Sequence, residues 1–227
     1  MKLPDRSKLP EPLEIYRLNK NGNTNFFELL NLKDNQIREL RSQIKSITIT
    51  NQLNSHTTNI PEGDKVKLMY IMEVKTFTNI LNFDFLRIID TKIGNYIVFR
   101  LVFPDNEELF INYKEPLARI GDGNLYRIIK SFQTKKLINI DLNVSTLDQL
   151  YEQFIKKIGE DKILVDNKKD INQVIKNSEE IIKLQKKSND LKRKMYLAKD
   201  MRMQIEYKRQ YNSIEEEIKK LKETSEW

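Results

Sequence analysis

A carboxylate and a lysine two residues apart at the end of a strand can hold Mg²⁺ and orient an attacking water, which is the core of metal-dependent nuclease chemistry. Such a pair, Glu73-Val-Lys75, closes a long apolar run. The chemistry also needs an aspartate upstream across a hairpin. Asp64 is the nearest, only one strand-length before Glu73, so the triad Asp64, Glu73, Lys75 is poorly spaced. Alternation puts Glu73 and Lys75 on one face, where a surface ion pair accounts for them equally well. His56 is the only histidine and there is no cysteine. Thiolate zinc sites, disulfides and cysteine nucleophiles are thereby excluded, and any histidine chemistry rests on His56, which sits in a polar loop. Thr57 and Asn59 share that loop, as hydrogen-bonding loop residues or as ligand contacts. Six glycines in the chain form no phosphate loop or dinucleotide fingerprint. No cofactor and no metal site are expected.

The other chemistry is electrostatic. Net charge is +7 with a pI near 9.3, which suits a polyanion or an acidic protein surface as partner. The cations concentrate late in the chain, at Lys183, Lys186, Lys187, Lys192, Arg193, Lys194, Lys199, Arg202, Lys208 and Arg209, with Met and Tyr between them. They read as nucleic-acid contacts or as an ordinary solvated helix face.

The elements that must position these residues fall into three parts. Residues 1–23 carry three prolines and the turn-like NKNGN and read as an irregular arm. Residues 24–165 read as an α+β domain. Apolar spacing predicts helices at 26–30, 34–44, 84–93 and over STLDQLYEQFIKKIG, the last with Ser145 or Thr146 as cap. A period-two pattern predicts a strand at 46–53, the longer and more apolar run at 66–77 a strand central in its sheet, and YIVFRLVF a strand at 96–103. Further short strands through LINIDL at 137–142, joined by tight turns, make a mostly antiparallel sheet with flanking helices.

Residues 166–227 form a helical tail. Asn167 to Ser225 contain neither Gly nor Pro, and apolar residues recur in two mismatched seams. One holds Val174, Ile181, Leu184, Leu191 and Met195, softened by Ser178 and Ser188. The other holds Tyr207, Tyr211, Ile214, Ile218 and Leu221. A single helix would extend roughly 85 Å. KKSND at 186–190 favours instead a turn into an antiparallel hairpin, with a break or shift between Lys186 and Ile205. Amphipathic helices must bury their stripe against each other, the domain or a partner. No segment approaches the roughly 18 apolar residues of a membrane span, and the N-terminus lacks a signal's apolar core. A cytoplasmic protein is expected.

Several of these segments, in this order, resemble the bacterial family catalogued as domain of unknown function 4391. They are QLNSHTTNI at 52–60, where the family tends to read lysine-leucine-serine, two residues, threonine, any residue, asparagine; the apolar strand VKLMYIMEVKTF; the dipeptide Tyr113-Lys114; LDQLYEQFI at 147–155; and AKDMRMQIEYKRQYNSIEEEI in the charged tail. Thr57, Asn59 and Lys114 match the family, making a candidate ligand loop; Gln52 replaces its lysine, and Leu68 stands where an acidic residue is usual. The resemblance implies genes beside DNA methyltransferases and helicases of restriction-type or phage-defence loci. Together these observations lead to the expectation of a non-enzymatic accessory subunit of a bacterial DNA-processing or anti-phage assembly. Its tail would dock a helicase or methyltransferase and lie near nucleic acid through its basic face. The alternatives are a nuclease centred on Glu73 and Lys75, and a homodimeric coiled coil with no nucleic-acid role.

Overall fold

The computed structural model describes residues 1, 3–19, 23–117, 125–160, 171–198 and 200–223, excluding the side chains of 171–174 and 223. It has two compact units, Met1–Gly159 and Glu160–Trp227. The expected boundary at 165/166 lies outside the described residues.

The first unit is α+β. Its sheet has six strands in sequence order, β1 (Lys8–Arg17), β2 (Ile44–Leu53), β3 (Met69–Thr76), β4 (Tyr96–Val102), β5 (Glu107–Pro116) and β6 (Tyr126–Thr134). All neighbouring pairs are antiparallel except β3 and β4. That parallel pair is joined by α4 (Asp84–Lys92), the crossover that parallel strands need. Before it come α1 (Asn23–Leu30), α2 (Asp34–Gln43) and the single turn α3 (Ser55–Thr58), and after the sheet comes α5 (Leu147–Ile158). β3 takes the expected central place.

Two segments differ from the sequence reading. Within residues 1–23, expected as an irregular arm, Asp5–Ser7 form a 3-10 turn and Lys8–Arg17 form β1. Pro10 and Pro12 fall in a register shift between Lys8 and Leu13, on an edge strand. An edge is where a strand tolerates residues that cannot donate to a ladder. LINIDL at 137–142 is not a strand. Its period-two pattern buries Ile138 and Ile140 without pairing, while Leu137 stands 94% exposed.

Alternation along the strands builds the core. Met72, Val74, Phe99, Leu101 and Phe110 pack in one cluster with Phe26, Phe27, Leu30, Leu40, Phe85, Leu86 and Ile89 from α1, α2 and α4. Complete burial of each such side chain stabilises by about 1.5–3 kcal/mol. Ile71, Val98 and Ile111, one position along, are buried on the opposite face. α5 lies against β5 and β6 and buries Leu147, Leu150, Tyr151, Phe154, Ile155 and Ile158. Thr146 caps it, its hydroxyl accepting from the Gln149 amide.

The second unit contains α6 (Ile171–Leu197) and α7 (Met201–Glu223), packed on each other. Three intervening residues make the pair an antiparallel hairpin. The helix break therefore lies between Leu197 and Met201, inside the expected window, but KKSND is not the turn: residues 186–190 lie within α6. Ser188, read there as a cap, is buried and donates a hydrogen bond to Glu215 Oε1 across the hairpin at 2.5 Å. Ile181, Leu191, Ile214 and Ile218 form the shared core, flanked by Leu184, Tyr207, Tyr211 and Leu221. The two seams thus face each other; the side chain of Val174 lies outside the described residues.

Candidate functional site

Glu73 and Lys75 do share a face of β3, with their charged atoms 3.2 Å apart. The Glu73 carboxylate also accepts from Arg100 of β4 at 3.1 Å, and the Arg100 guanidinium forks onto Glu107 of β5 at 2.8 and 3.1 Å. The fork raises Arg100 above its already high value. Glu73 is thus one member of an ion-pair row across three strands. Asp64 lies in the loop before β3, and its amide donates to Asp148 Oδ2 at 2.9 Å. Among the described residues, no three histidine, aspartate or glutamate side chains gather as a metal would require.

That loop is pinned by an interaction not read from the sequence. The Asp148 carboxylate, in the first turn of α5, accepts from the amides of Asp64, Lys65 and Val66, at 2.7 Å from the last. A Cβ on Gly63 would stand 2.2 Å from Asp148 Oδ1, so this closeness requires glycine.

Thr57, Asn59 and Lys114 are each held by structure. Asn54 Oδ1 accepts from the Thr57 amide at 2.9 Å, the Thr57 hydroxyl accepts from the Asn54 amide at 3.0 Å, and the same hydroxyl donates to the Gln52 carbonyl at 2.7 Å. This is a reciprocal cap on one helical turn. Asn59 ends that turn at φ 59°, a left-handed conformation that asparagine tolerates. His56 lies exposed in the same turn.

Lys114 occupies a different network, in the core. Its side chain and that of Asp90 are both 0% exposed and form an ion pair. The ammonium also donates to the backbone oxygens of Asp90 at 2.8 Å and Asn95 at 2.7 Å, and lies 4.3 Å from the Tyr126 ring centroid and 5.3 Å from that of Tyr96. All three ammonium donors are engaged. Asn112 donates to Asp90 Oδ2 at 2.7 Å and accepts from Ser131 at 2.7 Å. The Tyr151 hydroxyl donates to the Asn112 carbonyl at 2.5 Å and accepts from the Lys114 amide at 3.2 Å. Burial is the larger influence on both members of the pair: it raises Asp90 and lowers Lys114, each opposed by the other's charge. Burial also raises Tyr96, Tyr126 and Tyr151. A saturated, enclosed lysine has no donor left for a ligand. It ties β5 to the end of α4.

Sequence reasoning singled out Lys114 but missed Asp90, Asn112, Tyr96, Tyr126 and Tyr151. One signal was present: Asp90 is an acid adjoining the apolar stripe Phe85, Leu86, Ile89 of an amphipathic helix, a position that demands a buried counter-charge.

The cations of the hairpin remain outside. Lys186, Lys187, Lys192, Arg193, Lys194, Arg202, Lys208 and Arg209 are all exposed; Lys199 lies outside the described residues. Lys187 and Arg209, from opposite helices, line one cleft of about 460 Å³ with Leu191 and Ile214. Large apolar side chains stand exposed around the hairpin end: Tyr196, Leu197 (68%), Met201 (74%), Met203 and Ile205. Met201 and Ile205 share a side of α7, whereas Met203 points away from them, so apolar side chains stand on more than one side of the helix.

A mixed sheet carrying buried polar pairs, followed by a helical hairpin with an exposed apolar end, is the architecture of this chain. The family model described as "Domain of unknown function (DUF4391)" matches residues 1–218, and the chain belongs to that family. No curated protein and no solved structure matches it. No helix among the described residues is long and apolar enough to cross a membrane.

Proposed function

We propose that this chain is a non-enzymatic accessory subunit of a bacterial DNA-processing or anti-phage assembly, docking a protein partner through the end of its helical hairpin. The observation that carries the reading is the apolar end of the hairpin, where Tyr196, Leu197, Met201, Met203 and Ile205 are exposed within ten residues. A cluster of large exposed apolar side chains marks an interaction site. Residues 192–209 add seven basic residues against two acidic ones, Asp200 and Glu206. This favours an acidic rim on the partner or nearby nucleic-acid phosphate. Like-charged ends of two copies would repel, which argues against end-to-end self-association. The helicase or methyltransferase expected as partner comes from the gene neighbourhood that the family resemblance implies.

The test is co-purification of the tagged full chain from its host, wild type beside Leu197→Ser/Met201→Ser. A helicase or methyltransferase captured by the wild type and lost from the variant supports the reading. Equal capture by both overturns docking through this end. A doubled molar mass for the purified chain, lost in the same variant, would assign the apolar end to a homodimer instead.

A further inference from the structure

Within the sheet unit, three cations converge where β1 and β3 end and β2 begins. Ser46 is the strand partner of both Arg17 on β1 and Lys75 on β3, so Arg17, Ser46 and Lys75 form a row across three strands. Simple alternation would send Lys45 to the other face. The β2–β3 register, however, shifts between Ile44 and Ser46, leaving Lys45 as the extra residue of a bulge. Bulges re-aim side chains, and Lys45 lines the same cleft as Arg17 and Lys75. The backbone on either side is fixed, since Leu18 donates to the Lys45 carbonyl and Phe77 to the Gln43 carbonyl, both at 3.0 Å.

The cleft measures about 460 Å³ and is completed by Leu18, Ser46 and Phe77. Among the described residues no carboxylate lines it. Arg17 and Lys75 are steadied from outside by Glu14 at 2.7 Å and Glu73 at 3.2 Å. Both cations are themselves more than half exposed, and one such contact each leaves most of their donors available. Among the described residues Lys45 has no ion-pair partner. Phe77, 42% exposed, presents an aromatic ring beside the cations.

We infer that this cleft is a binding site for a nucleotide phosphate. Arg17 supplies a fork for oxyanion pairs, Lys45 and Lys75 supply point charges, and Phe77 supplies a stacking surface for the attached base. Three converging cations suit a phosphate better than a singly charged carboxylate. The phosphate can belong to a single strand or to a free nucleotide, and the two sources separate by experiment.

The full-length chain is titrated with a fluorescein-labelled oligothymidylate of about 12 nucleotides and, separately, with AMP, at several salt concentrations. Four variants accompany it: Lys45→Gln, Phe77→Ala, Lys135→Gln as an exposed cation elsewhere, and Lys192→Gln/Arg193→Gln/Lys194→Gln on the hairpin. Lys45→Gln is expected to weaken binding about threefold or more. For the strand it should also reduce the logarithmic salt slope by about one. Phe77→Ala is expected to weaken binding about fivefold or more, and Lys135→Gln to leave it unchanged. These losses with the oligonucleotide assign the site to a strand, and with AMP alone to a free nucleotide. Absence of binding to either probe, or equal affinity of wild type and Lys45→Gln, overturns the inference. Loss confined to the hairpin variant places nucleic-acid contact on α6 and α7 and removes it from this cleft, without touching the docking proposal. Thermal melting of Lys45→Gln and Phe77→Ala confirms that exposed positions were changed without unfolding.

Discussion

The two units differ in where they leave apolar side chains exposed. In the sheet unit, side chains as large as Phe85, Phe99, Phe110, Phe132 and Phe154 are almost wholly enclosed, and even a lysine and an aspartate are drawn inside. The hairpin encloses Ile181, Leu191, Ile214 and Ile218 in its shared cluster and leaves Tyr196, Leu197, Met201, Met203 and Ile205 in solvent. Both units have apolar residues enough to build a core. The sheet unit encloses most of its own, leaving a few such as Ile80 and Leu137 in solvent. The difference lies in grouping: the hairpin's exposed apolar residues fall largely within ten positions at one end, whereas those of the sheet unit are spread along the chain.

The largest expected effect tests how deeply the sheet unit depends on its enclosed pair. Asp90→Asn leaves the Lys114 ammonium without a counter-charge, and a loss of about 3–5 kcal/mol is expected by denaturant titration. Asp90→Leu/Lys114→Met, which removes both charges, should recover most of that loss. The pH dependence has a definite sign. Burial lowers Lys114, and in Asp90→Asn no carboxylate opposes it. The native state then releases this proton at a lower pH than the unfolded chain. Over that interval the unfolded chain binds more protons, so stability of the variant rises with pH between the lowered value and the ordinary lysine range. A fall in stability over that interval would show that Lys114 is not the responsible group.

Next in size, Ile214→Ala should cost the hairpin about 2 kcal/mol, read as faster amide exchange in α6 and α7. Unchanged exchange in β3 and β4 would sharpen the division into two units; equal acceleration in both would break it. Gly63→Ala should cost about 1–3 kcal/mol, because the new methyl displaces a carboxylate held by three amides. Asp148→Ala should lose a similar amount, and the double variant less than the sum, since both act on one contact. The smallest effect is on the hairpin end. Leu197→Ser should change stability by less than about 0.5 kcal/mol. A clear destabilisation there would mean that the end serves folding after all.

Much of this arrangement was legible in residue order. The stripe of α5, the alternation of β3 and the uninterrupted helix formers of the tail each follow from periodicity that a single element sets by itself. What was not legible depended on distant neighbours. β1 was hidden because prolines argue against a strand unless it stands at an edge, and edge position belongs to the whole sheet. The hairpin turn was misplaced because Ser188 reads as a cap when its partner, Glu215, is 27 residues away. Asp90 and Lys114 are 24 apart and meet only after β4 and β5 have formed. The cationic cleft escaped notice for the same reason, since the bulge that turns Lys45 leaves no trace in a two-residue period.

The order of strands in the sheet is the order in which they are made. Each strand, as the chain emerges during synthesis, finds the preceding one already waiting as its neighbour. No strand need be held open for a later arrival, so loop-closure costs stay small and rapid, vectorial folding of the sheet unit is the consequence. The hairpin comes last and brings only nearby contacts between its two helices. By the time the last turns of α7 are being made, every strand of the sheet has long been available to its neighbour.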